Sequence, residues 1–172
     1  RRPAARAECP PMRIHFPRSV AALLALVLAA CVAAPPVARE ATPVSLRVAT
    51  FNTSLYDEAH GGLIERLDHG DEDARRIAAV IQHQRPDIVL LNEFDYDAAG
   101  LAADLFQQRY LGVGQFGQDP IAYPHRYFAP VNTGEPSGLD LNGDGKVGGE
   151  GRFHGDDAWG YGLHPGQYGM LV

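Results

Sequence analysis

Two residues far apart in the chain each close a short run of β-forming side chains. Asn52 follows Leu46-Arg-Val-Ala-Thr-Phe, and Glu93 follows Asp87-Ile-Val-Leu-Leu-Asn. A carboxylate is a ligand that a hard divalent cation accepts. Each residue alone has an ordinary reading: Asn at a strand end is a common turn former, and Glu there is commonly just solvated. A third group is the run Asp140-Leu-Asn142-Gly-Asp144-Gly145-Lys-Val147. It matches the first half of an EF-hand calcium loop, with oxygen ligands at positions 1, 3 and 5, Gly at 6 and an aliphatic residue at 8. The twelfth position is Gly151 instead of Glu, so Glu150, Asp156 or Asp157 would have to close the site. Calcium and a solvated Asp/Asn/Gly turn both remain open. The histidines at 60, 69, 83, 125, 154 and 164 lack close metal-ligand spacing and are expected on the surface or in loops. Trp159 is expected to pin its loop.

The elements around Asn52 and Glu93 decide whether the two can act together. Leu46 to Asn52 alternates as a strand does. Residues 53 to 70 read as a loop with a short helical piece around Leu63 to Leu67. From Asp71 the spacing of Ala74, Ile77, Ala78 and Ile81 predicts a helix with one apolar stripe, while Arg75, Arg76 and Gln82 lie off it. Asp71, Glu72 and Asp73 suit its amino terminus, and Pro86 stops it. Asp87 to Leu91 is a continuous apolar run, the pattern of a strand buried on both faces. Two strands joined by one such helix form a parallel βαβ unit, whose strands end on the same edge of the sheet. Asn52 and Glu93 are therefore expected to be neighbours at the edge where α/β sheets place ligands. A second helix is expected over Asp97 to Tyr110, with Ala98, Leu101, Ala102 and Leu105 on one face, and a short strand over Arg126 to Ala129. The segment 132–166 is glycine-rich with little apolar periodicity, so it is expected to be functional or held by something such as an ion.

At these residues the sequence resembles the endonuclease/exonuclease/phosphatase superfamily, the DNase I-like proteins. Val48-Ala-Thr-Phe-Asn52 is similar to its first-strand motif, and Arg85-Pro-Asp-Ile-Val-Leu-Leu-Asn-Glu93 to its second, although Gln is more usual there than Asn92. Gly166-Gln-Tyr-Gly-Met-Leu-Val172 is similar to the strand that follows in exported bacterial members. The resemblance covers residues 46–172. It implies an α/β fold, the N-terminal portion of a four-layer α/β sandwich, and hydrolysis of phosphoester bonds with Mg²⁺ or Mn²⁺. By the same resemblance Glu93 holds the metal and Asn52 helps to position the metal-bound phosphate. The substrate would be nucleic acid, a phospholipid head group or another small phosphoester. The family's catalytic His, Asp-x-Asn segment and Asp-His pair have no counterpart up to Val172, so the sequence is expected to be a fragment truncated at its C-terminus and inactive alone. The competing reading is an extracellular calcium-binding interaction module built on Asp140, Asn142 and Asp144.

The start of the chain carries a different signal. Residues 1–11 read as upstream or non-native sequence. Residues 12–31 read as a signal peptide: a basic stretch, the apolar run Val20–Ala30, and a lipobox-like Leu28-Ala-Ala-Cys31. That run is shorter than the roughly 20 residues a membrane-crossing helix needs. Cys31 is the expected lipidation site and membrane anchor, with ordinary cleavage near Ala34 as the alternative; either way the protein is exported. Residues 32–45 form a Pro/Ala linker. Cys9 and Cys31 are the two cysteines, so no disulfide is expected in the mature domain. The net charge of −6 argues against a basic surface built to hold long nucleic acid. No protein partner is implied.

Overall fold

The computed structural model describes residues 44–172, which form one compact unit beginning at Val44. The expected signal peptide, the lipidation site Cys31 and nearly all of the linker lie outside the described residues. Two segments pair as parallel strands, β1 (Val48–Leu55) and β2 (Ile88–Phe94), and β2 pairs on its other side with a short antiparallel strand, β3 (Met170–Leu171). The sheet order is β1-β2-β3. Helix α1 (Gly62–His69) and helix α2 (Glu72–Gln84) connect the first two strands. Helix α3 (Leu101–Leu105) runs on as a π-helical turn, Phe106–Leu111, and α4 (Arg152–Asp156) lies in the glycine-rich segment. This is the expected α/β arrangement in its N-terminal part.

Helix α2 begins and ends for local reasons. The Asp71 carboxylate accepts from the Ala74 N–H at 2.7 Å, and Glu72 and Asp73 follow in the first turn, where the helix dipole favours negative charge. Arg66 pairs with the second Asp71 oxygen at 2.7 Å and ties the end of α1 to this cap. At the far end Arg85 adopts a left-handed conformation (φ 48°) and donates its N–H to the Ile81 carbonyl, and Pro86 cannot continue the helix.

The predicted stripe of Ala74, Ile77, Ala78 and Ile81 is buried, together with Leu63 and Leu67 of α1, Val89, Leu91 and Phe94 of β2, and Phe106 and Tyr110 of the π turn. All the helices of this core lie against one face of the sheet. The other face is open: Val48, Ile88 and Met170 are exposed. The apolar run of β2 is therefore covered on one face only, contrary to its reading as a strand buried on both.

Three further expectations are corrected. Gln82, expected off the stripe, is buried: its amide donates to the carbonyls of Leu111 and Val113 and accepts from the Gln115 N–H, binding α2 to the chain after the π turn. The helix expected over Asp97–Tyr110 starts at Leu101 because the Asp97 carboxylate caps it, accepting from the Leu101 and Ala102 N–H groups. Ala102 and Ala103 of α3 are buried and Leu101 is half exposed, and the widened turn after them buries Phe106, Tyr110 and Leu111, a set that a single α-helical stripe does not describe. The strand expected near Arg126–Ala129 is reduced to one bridge, Phe128 with Leu171.

The glycine-rich segment is held chiefly by its own backbone. Residues 132–136 pair with 158–160: Gly134 donates to Gly160 at 2.7 Å and Trp159 to Glu135 at 2.9 Å. Gly134 sits at φ 70°, and a Cβ there would lie 1.8 Å from the His164 carbonyl oxygen, so only glycine permits this approach. Trp159 contributes its backbone while its ring is largely exposed, so it does not pin the loop through its side chain.

Candidate active site

The parallel register sets Asn52 opposite Asn92, so their side chains share the open face of the sheet. Strict alternation would then send Glu93 to the helix-covered face. Two departures prevent this. The register shifts between Asn52 and Leu55, so that Thr53 and Ser54 of β1 face the single residue Glu93 of β2, a bulge. Ser54 and Glu93 both take left-handed backbone conformations, with φ of 49° and 55°. As a result the Glu93 carboxylate turns toward Asn52. Its Oε1 accepts from the Asn52 Nδ2 at 2.7 Å and its Oε2 from the Ser54 hydroxyl at 3.3 Å. The Asn52 Oδ1 accepts from the Ser54 N–H at 3.2 Å, fixing the amide, and Asn92 donates to the Thr50 hydroxyl at 3.0 Å beside it. Non-glycine residues in this region of backbone space are strained, and such strain persists where the surroundings over-determine it, often at functional sites.

Behind this rim lies a buried support. Asp95, two residues past Glu93, accepts from the Asp57 N–H at 2.8 Å and from the Tyr168 N–H at 3.0 Å, joining the chain after β1 to the chain before β3. Burial pushes its carboxyl above the ordinary value, against the lowering effect of those two bonds. His164 lies in a loop, as expected, but is buried beside it, 3.9 Å from Asp95 and 3.1 Å from the Asp57 carbonyl. Gln167, fully buried, donates to the same Asp57 carbonyl at 2.7 Å. Ser54, Asp95 and Tyr168 were given no role from sequence, and His164 was read there only as a surface or loop residue.

Residues 49–172 match the family model of the endonuclease/exonuclease/phosphatase family. The chain belongs to that family. No curated protein and no solved structure gives a significant match. Endonuclease/exonuclease/phosphatase proteins form a superfamily of phosphoester hydrolases and are in general dependent on divalent metal. The donor set at the rim suits such an ion in kind: one partly exposed carboxylate whose oxygens face hydrogen-bond donors, on a solvent-accessible edge. Mg²⁺ is commonly held by one or two carboxylates while it keeps several waters. Among the described residues no group of three or more His, Cys, Asp or Glu is gathered to hold a metal.

Asp140, Asn142 and Asp144 lie away from this rim in sequence and are engaged locally. Asp140 accepts from the N–H groups of Gly143, Asp144 and Gly145, Asn142 from Asp144, and Asp144 from Lys146, all at 2.7 to 3.1 Å. The loop is closed by Asp157, whose two oxygens accept from Leu141 and Gly148 at 2.7 Å each. These bonds hold its carboxyl below the ordinary value, Gly148 contributing most. A cavity of about 780 Å³ lies elsewhere, between α3 and Tyr123–Tyr127, with Val89, Leu91 and Phe106 in its wall. Its lining is chiefly apolar and includes neither Asn52 nor Glu93, so it is set apart from the polar rim. Among the described residues no helix is long and apolar enough to cross a membrane.

Proposed function

We propose that the rim of Asn52, Ser54 and Glu93 is a site of metal-dependent phosphoester hydrolysis, with Glu93 as the carboxylate that would hold Mg²⁺ or Mn²⁺. The observation that carries this is the 2.7 Å bond from Asn52 to Glu93, which a bulge turns to the open face that Asn52 already occupies. When bound, the ion would supply positive charge at the non-bridging phosphate oxygens and bring water to the phosphorus. The chain's own residues have separate tasks. Glu93 contributes negative charge at a fixed position. Asn52, oriented by the Ser54 N–H, offers an amide N–H that can pass from the carboxylate to a phosphate oxygen as the carboxylate turns to a cation. Ser54 restrains the second carboxylate oxygen. Asp95, which accepts from the Asp57 and Tyr168 N–H groups, holds the backbone of the strand ends in place while these side chains turn.

The test is a binding measurement, because it needs only residues described above. Addition of Mn²⁺ to the full chain should broaden the amide resonances of residues 52–54 and 92–94 selectively, and Glu93→Gln should raise the Mn²⁺ concentration required by about tenfold or more, as loss of a charged ligand implies. Uniform broadening, or an unchanged titration in Glu93→Gln, would remove the role assigned to Glu93. The calcium-binding interaction module gains no support from the family match.

A further inference from the structure

We propose that Tyr56, Tyr161 and Tyr168 form a wall beside Glu93 that receives a planar heteroaromatic group, so that the phosphoester taken by this site carries a nucleobase-like ring close to the phosphorus. This rests on reading the Asn52–Glu93 rim as a phosphoester site. Tyr56 is the residue after β1 and Tyr168 stands just before β3, so the same strand ends that bring Asn52 and Glu93 together also bring these rings together. The Tyr56 and Tyr168 ring centroids are 4.5 Å apart, tilted by 59°, and Tyr161 lies nearly parallel to Tyr168 at 6.4 Å.

Three observations separate this wall from ordinary core packing. The first is exposure: Tyr161 is 47% exposed and Tyr168 is partly so, whereas the core tyrosine Tyr110 is 3% exposed. The second is that the phenol hydroxyls of Tyr110 and Tyr123 are bonded to the carbonyls of Leu67 and Pro86, while among the described residues those of Tyr56, Tyr161 and Tyr168 make no bond to protein. The third is backbone strain. Tyr168 is left-handed (φ 56°), as Ser54 and Glu93 are, and is clamped there by its N–H on Asp95. A bulky residue in that region is rare and needs such a clamp. Burial, with the nearby Tyr56, Tyr161 and Glu93, raises the Tyr168 phenol above its ordinary value, so at neutral pH it adds no negative charge against a phosphate. Aromatic faces stack on any nucleobase, and a net charge of −6 favours a small nucleotide-sized ester over a long polyanion.

The experiment compares adenosine 5′-monophosphate with ribose 5-phosphate, which differ in the base alone, binding to the full chain in Mg²⁺. The nucleotide should bind about tenfold more tightly, within the range expected for stacking of one base. Tyr161→Leu should remove most of that preference while leaving ribose 5-phosphate unchanged, Tyr168→Leu should lower the preference as well, and Tyr168→Phe should keep it. Tyr161 is the more exposed position and serves if Tyr168→Leu does not fold. Equal affinity for the two probes in the unsubstituted chain, or leucine variants that weaken both equally, would overturn the wall while leaving the metal reading intact. Absence of any Mg²⁺-dependent binding of either probe would overturn the metal reading and this one with it.

Discussion

Asn52 and Glu93 show how far single residues can be read without coordinates. Their adjacency follows from a parallel βαβ unit, which the helical stripe and two β-like runs already require, and the 2.7 Å bond between them fulfils it. How they meet was not legible: alternation alone would have turned Glu93 to the covered face, and nothing in Thr53-Ser54 announces a bulge. Left-handed φ at Ser54, Glu93 and Tyr168 is equally silent in sequence, because it is imposed by tertiary bonds and not by residue type. Arg85 provides the contrast. Its left-handed conformation is that of an ordinary helix end, where glycine is favoured, and its N–H bond to Ile81 does not depend on the side chain. Arg85→Gly should therefore stabilise the chain by about 1 kcal/mol, the usual cost of holding an L-residue left-handed, read as a raised urea midpoint with unchanged slope.

Among the elements, α2 was legible from its stripe and cap, whereas the α3–π segment was misread at its start and in its buried face. A period of 3.6 cannot anticipate a widened turn, and Asp97 is recognisable as a cap only once the helix start is known. Gln82 was placed off the apolar stripe, yet it is buried and joins α2 to the chain after the π turn. Gln82→Leu should cost about 2 kcal/mol, since it leaves buried carbonyls and an N–H without partners, and denaturant unfolding checks this. The Asp140–Asp157 loop was legible as a turn but not in its closure, which falls to backbone N–H groups of Leu141 and Gly148. Because Asp140, Asp144 and Asp157 already have such donors, removal of calcium by a chelator should leave amide chemical shifts over residues 140–157 unchanged. Shifts confined to that stretch would show that an ion contributes to it.

For the molecule as a whole, two buried carboxylates give opposite pH dependence. The Asp157 carboxyl is held low, so the stability it adds is complete above about pH 4, the ordinary unfolded value, and is lost as pH falls through its lower folded value. The Asp95 carboxyl is raised by burial, so in the folded state it takes up a proton first, and stability falls as pH rises through its raised value. Urea midpoints should therefore rise on acidification from neutral toward pH 4 and drop below it, and Asp95→Asn should abolish the rise. The open sheet face has a further consequence. Val48, Ile88 and Met170 share it with Thr50, Asn52, Asn92 and the turned Glu93, so greasy and polar ground are contiguous. On the reading proposed above, whatever shelters the greasy part from water would also border the Asn52–Glu93 rim, so a change that suits such a cover would at the same time reshape what can reach the rim.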